Sequence, residues 1–267
     1  MTWIARARPA DAPASGDPAA AAGAARLELV HGGSAVRLLD VHAQRGSRMA
    51  LEAIDLALPA GRLIALTGPN GAGKTTLLDV IGGRLAPAQG RVELAAALRG
   101  RVALLAQRPS LDTSFPVSVL DTVMLGHWSR LGAFGWARRD HVAQADAALE
   151  RVGLLGLRDR LIGELSAGQL QRLLFARLAL QDARLVLLDE PFAAVDAGTI
   201  EALLAVLHEW RDAGRTVIVV THDLAQVRRH FDLAVLLARR VVAFGPPATS
   251  LGDDVLAVAG RRAWALS

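Results

Sequence analysis

The chain's only lysine, Lys74, stands inside Gly68-Pro69-Asn70-Gly71-Ala72-Gly73-Lys74-Thr75-Thr76, and no other segment restricts the fold as strongly. Backbone N–H groups can wrap a phosphate chain only where side chains do not intervene, which accounts for the glycines at 68, 71 and 73. Lys74 brings a positive charge to the β and γ phosphates, and Thr75 offers a hydroxyl to Mg²⁺. Before the loop, Gly61 to Thr67 is a short apolar run bounded by turn residues, the pattern of a buried parallel strand. After it, Leu77, Leu78 and Ile81 recur with helical spacing, and a helix starting near Lys74 adds an N-terminal partial charge of about +0.5. Strand, loop and helix together predict a phosphate cradle in an α/β domain.

A second apolar run, Leu185-Val186-Leu187-Leu188, ends in Asp189 and Glu190. In an open α/β sheet ligands sit at the carboxyl ends of the strands, so both carboxylates are delivered to the mouth of the loop. Asp189 suits the Mg²⁺ shell, and Glu190 suits polarising the water that attacks the γ phosphate. The run Thr216 to Val220 ends at Thr221-His222-Asp223, and Val102 to Ala106 ends at Gln107. By the same geometry His222 reaches the γ phosphate or orients Glu190, while the Gln107 amide reaches Mg²⁺ and the attacking water. Alone, either residue would read as a capping or packing group; the shared strand-end position argues for function.

The 267 residues suit one generous α/β domain or a core with a smaller subdomain. With 52% apolar residues, no apolar stretch reaches the roughly 18 residues of a membrane-spanning helix, so a soluble chain is expected. The net charge of +4 comes from arginines scattered among acids, the pattern of a solvated surface rather than a nucleic-acid patch. Without cysteine there is no thiolate nucleophile or metal ligand, and the seven histidines are dispersed. Residues 1–25, rich in Ala and Pro, read as a disordered tail that stays in the cytoplasm, and 248–267 as a C-terminal tail.

Between the two halves of the site lies Leu165-Ser166-Ala167-Gly168-Gln169, and with it the order of motifs from about Val41 to Gly245 resembles the ABC ATPase family. The segment is similar to the family signature Leu-Ser-Gly-Gly-Gln, with Ala167 at the third place. Ser166 caps a helix running to about Leu180 and leaves its N–H groups and hydroxyl to bind an anion. The resemblance implies a P-loop NTPase core spanning 26–247, with a helical subdomain over about 108–182 and an N-terminal antiparallel β portion. It further implies ATP and Mg²⁺ as ligands. Ser166, Gly168 and Gln169 would face the ATP of a second copy across a dimer, with Asp196 on a loop crossing the same interface. The family's adenine-stacking aromatic ring is missing: the chain has no tyrosine, and Val41 to Gly46 offers His42 or Arg45, whose planar guanidinium can stack.

The stretch Phe115 to Trp128 with Val242 to Pro247 is similar to the ATPases of zinc and manganese uptake systems. That implies integral membrane permease subunits as partners, a metal-binding solute-binding protein in the same system, and a place at the cytoplasmic face of the membrane. Phe115, Trp128, Phe134 and Trp136 read first as core of the subdomain and second as a groove for the permease. Three other readings compete. An importer of an iron chelate or another small solute shares every catalytic motif. A soluble ABC ATPase of DNA repair or translation would generally carry tandem cores or a long coiled-coil insertion. A P-loop kinase gives no reason for Ser166 to Gln169 followed by Asp189, Glu190 and His222.

Overall fold

The computed structural model describes residues 33–107, 112–128, 138–193 and 195–264. The expected N-terminal tail, Phe134, Trp136 and the segment 108–111 lie outside them. The chain opens with two long antiparallel strands, β1 (Ser34–Arg45) and β2 (Arg48–Pro59), joined through Gly46 at φ 61°. Along β1, Val36, Leu38, Val41 and Ala43 are buried while Arg37 and Asp40 face solvent, as expected of a sheet wetted on one face. β4 (Gln89–Leu94) pairs on the other edge of β1, giving a three-stranded antiparallel sheet of order β2-β1-β4.

The second sheet has six strands, β3 (Leu63–Thr67), β5 (Val102–Leu105), β6 (Leu185–Asp189), β7 (Thr216–Val220), β8 (Leu233–Ala238) and β9 (Arg240–Gly245), in the order β5-β6-β7-β3-β8-β9. All its pairings are parallel except β8 with β9. Every residue of β3, β6 and β7 is buried because both faces are covered, which is why these strands read as unbroken apolar runs. Successive residues feed two cores. Ile64, Leu66, Leu187, Ile218 and Val220 pack with helix α1 (Lys74–Ile81) and the inner face of the antiparallel sheet. Leu63, Ala65, Val186, Leu188, Val217 and Val219 pack on the opposite side.

That second core joins α2 (Val119–Met124), α3 (Arg139–Arg151), α4 (Ala167–Ala179) and α5 (Ala197–Asp212). The first three pack on one another as a helical layer in the stretch expected to be mostly helical, and Ser118 accepts the Asp121 N–H to cap α2. α6 (Leu224–His230) returns the chain to β8. The segment expected to be a tail instead contains α7 (Pro247–Ser250) and α8 (Asp253–Trp264). Leu251 and Ala259 in it are buried, because helices here cover the apolar side of β8. No helix among the described residues is long and apolar enough to cross a membrane.

Candidate functional site

The carboxyl ends of β5, β6, β7 and β3 stand side by side, and the polar residues that follow them meet there. After β3 the chain enters the glycine-rich loop with Gly68 at φ 147°, Gly71 at 75° and Gly73 at 92°, conformations open to glycine but strained for other residues. Lys74 is 7% exposed, and its ammonium donates to the Gly68 and Pro69 carbonyls, each at 2.9 Å, bridging the loop from inside. Burial lowers its pKa, and the Glu190 and Asp189 carboxylates oppose that shift.

Glu190, just past β6, has φ 51° and donates its N–H to the Val220 carbonyl, which ties it to the end of β7. Its carboxylate lies between two partners. His222 Nε2 is 2.6 Å from one oxygen, and the Gln107 amide donates to the other at 2.6 Å. The three residues thus converge, and Glu190 is aimed from both sides.

Asp189 is 4% exposed and shares a hydrogen bond with Thr75, which lowers its pKa, but desolvation outweighs this and raises it. Its Oδ1 is buried without a hydrogen-bond partner among the described residues. A buried carboxylate oxygen in want of a partner, beside the Thr75 hydroxyl, is the kind of hard-oxygen donor that Mg²⁺ takes. Thr75, Asp189 and Gln107 line one cavity of about 240 Å³, so the residues present fit that ion.

Arg45 lies at the end of β1, and its guanidinium is turned onto α1. Nε donates to Thr76 Oγ1 at 3.2 Å, and Nη2 pairs with Asp79. A carboxylate one helical turn past Thr75 attracts the cation, whose side chain stays 53% exposed and lines the same cavity as Thr75 and Asp189. Asp79, which Arg84 also approaches at 3.8 Å, was missed by sequence reasoning. Its four-residue spacing from Thr75, which puts both on one helix face, is the signal that could have found it.

Ser166 caps α4, accepting the Gln169 N–H at 3.3 Å, and the Gln169 side chain accepts the Ser166 N–H at 2.9 Å. This closed capping box leaves Ser166 and Ala167 exposed at an open helix end. Gly168 packs beside Asp196 and Thr199, so this end and the Asp196 loop form one surface. No hydrogen bond joins Ser166, Gly168 or Gln169 to the glycine-rich loop among the described residues. The site residues therefore fall into two groups on this chain, one around Lys74 and one at the start of α4.

A family profile described as ABC transporter matches residues 51–193. This chain belongs to the ABC transporter family of ATPases. The manganese transport system ATP-binding protein MntB of Bacillus subtilis is 40% identical over 215 residues, 79% of this chain and 86% of that protein. The zinc transport system ATP-binding protein TroB of Treponema pallidum is 39% identical over 227 residues, 82% of this chain and 84% of that one. Among solved structures, a chain of an inward-facing ABC transporter described as of metal-chelate type superposes with a TM-score of 0.76 at 27% identity, covering 86% of this chain and 90% of that one. A dimeric ATP-binding cassette in a post-hydrolysis state with ADP and Pi has a TM-score of 0.69 at 25% identity, covering 79% and 98%. As an ABC ATPase, the chain binds nucleotide and hydrolyses ATP. The profile begins after Arg45 and ends before His222, so both flank the part of the ATPase that it matches.

Proposed function

We propose that this ABC ATPase powers import of a divalent metal ion, zinc or manganese, through membrane permease subunits, and that it works as a dimer of two copies of the chain. The observation carrying the substrate class is the level of identity to manganese and zinc system ATPases, 40% and 39% over more than three quarters of the chain. An iron-chelate importer is the second reading, supported by the likeness at 27% identity to a chain of a metal-chelate transporter.

In the hydrolytic step the backbone of Gly68 to Thr76 wraps the phosphates, and Lys74 exchanges the Gly68 and Pro69 carbonyls for phosphate oxygens. Glu190, held between His222 and Gln107, draws a proton from the water that attacks the γ phosphate, releasing ADP and inorganic phosphate. Thr75, Asp189 and Gln107 would hold Mg²⁺, which would supply positive charge against the developing phosphate charge. Ser166, Gly168 and Gln169 complete the site of the other copy, for which the open start of α4 and the adjoining Asp196 supply a continuous surface.

The helical layer supplies the seat for the permease. Phe115 and Trp128, expected first as core, are 65% and 61% exposed, Phe115 in the bend that precedes α2. Phe115 lines an apolar cavity of about 210 Å³ with Val117, Leu125 and Ile162, into which a cytoplasmic segment of the permease would insert. Such docking places the chain at the cytoplasmic face of the membrane. In this reading the transported metal is carried by a solute-binding protein and the permease. Sequencing the neighbouring reading frames would identify the permease. Vesicles containing it and this chain should take up Mn²⁺ or Zn²⁺ only with ATP inside reach of the ATPase. Continued ATP hydrolysis with no metal uptake, but uptake of a ferric chelate, would transfer the assignment to the second reading.

A further inference from the structure

The glycine-rich loop is gripped from both sides by backbone that takes no part in the chemistry. On one side is the β8–β9 turn: the Arg239 N–H donates to the Ala72 carbonyl at 2.9 Å, and the Leu237 carbonyl stands where a Cβ on Gly68 would have to go. On the other is β2, whose Ala50 carbonyl stands against Gly73 in the same way. The two supports are joined. Glu52 donates its N–H to the Arg239 carbonyl at 2.9 Å, and its carboxylate meets the guanidinium groups of Arg239 at 3.9 Å and Arg240 at 3.3 Å. At this junction Ala53 and Arg239 hold φ of 47° and 56°, a left-handed conformation that residues with a Cβ keep only where the surroundings impose it.

The Ala72 carbonyl and the Gly73 N–H belong to one planar trans peptide and point in opposite directions. A donor that fixes the carbonyl outward therefore aims the Gly73 N–H to the other side of the loop. We propose that Arg239, through its left-handed backbone, and Glu52, through the hold of its carboxylate on Arg240 and Arg239, are positioning residues that orient the Ala72–Gly73 peptide toward the nucleotide phosphates. Glu52 and Arg239 thus set the affinity of the cradle from behind the loop. The inference rests on the reading that Gly68 to Thr76 holds the phosphates.

The test is titration of the full-length chain with MgADP, beside kcat and KM for MgATP and a thermal melt without nucleotide. Arg239→Val, a β-branched residue that resists positive φ, should weaken MgADP and raise KM by about tenfold while kcat stays within about twofold. Arg239→Gly, which takes that φ freely, should recover most of the affinity although it lacks the guanidinium. Glu52→Ala should weaken MgADP by about threefold or more. Wild-type affinity in Arg239→Val, or equal losses in Arg239→Val and Arg239→Gly, would overturn the proposal. Should Arg239→Val melt below working temperature, Glu52→Ala decides, and unchanged MgADP affinity there overturns it. Lys74→Ala in the same titration separates the two readings: undiminished binding there would sink the phosphate loop itself, whereas loss there with normal Arg239→Val binding sinks only the positioning role.

Discussion

Asp189 holds a buried charge whose Oδ1 has no protein hydrogen-bond partner among the described residues, an arrangement that favours a cation and disfavours the nucleotide-free fold. Asp189→Asn should therefore raise the stability of the nucleotide-free chain, by about 1 kcal/mol in denaturant melts, while abolishing the Mg²⁺-dependent part of nucleotide affinity. A variant less stable than wild type and still Mg²⁺-dependent would remove Asp189 from the ion's shell. Glu190 is set differently: His222 and Gln107 hold its two oxygens, so the isosteric amide can occupy the same place without accepting a proton. Glu190→Gln should keep ATP bound and lower kcat by about a hundredfold or more. Undiminished hydrolysis would reassign the base.

The strands were legible because burial on both faces leaves no choice but unbroken apolar runs: β6 and β7 fall on the runs marked, and β3 starts at Leu63, two residues into the run from Gly61. Helix α4 was equally open to reading, since Ser166 and Gln169 announce a capping box. Its exposed start supports a prediction that belongs to the whole element. Ser166→Arg should damage hydrolysis in mixed dimers at the site whose Lys74 is on the other copy, measured by pairing it with a Lys74→Ala chain. An effect confined to the arginine-bearing chain's own loop would contradict the composite arrangement. The C-terminal helices were read as a tail although Asp253 to Trp264 is amphipathic, because a short amphipathic stretch does not by itself say what it packs on; here β8 and β9 receive its apolar face. Apolar side chains of the helical layer misled for the reverse reason: hydrophobicity alone does not tell a core position from one awaiting a partner.

At the scale of the molecule, the two cores lie on opposite faces of the six-stranded sheet, one shared with the antiparallel sheet and α1, the other with the helical layer. If the layer is the permease seat, Phe115→Ser together with Trp128→Ser should leave nucleotide binding intact while detaching the chain from permease-containing membranes on flotation. Unchanged assembly would sink the seat. The sequence by itself determined the α/β class, the order of the strand-end residues and the chemistry available to them, because those depend on period, on glycine's freedom and on side-chain type. Only the tertiary structure decided that Gln107 and His222 share the Glu190 carboxylate, that Asp79 draws Arg45 onto α1, and that Arg239 supports the loop around Lys74. Each of those contacts joins residues on separate segments, and the sheet order and backbone turns that bring them together are collective outcomes of packing.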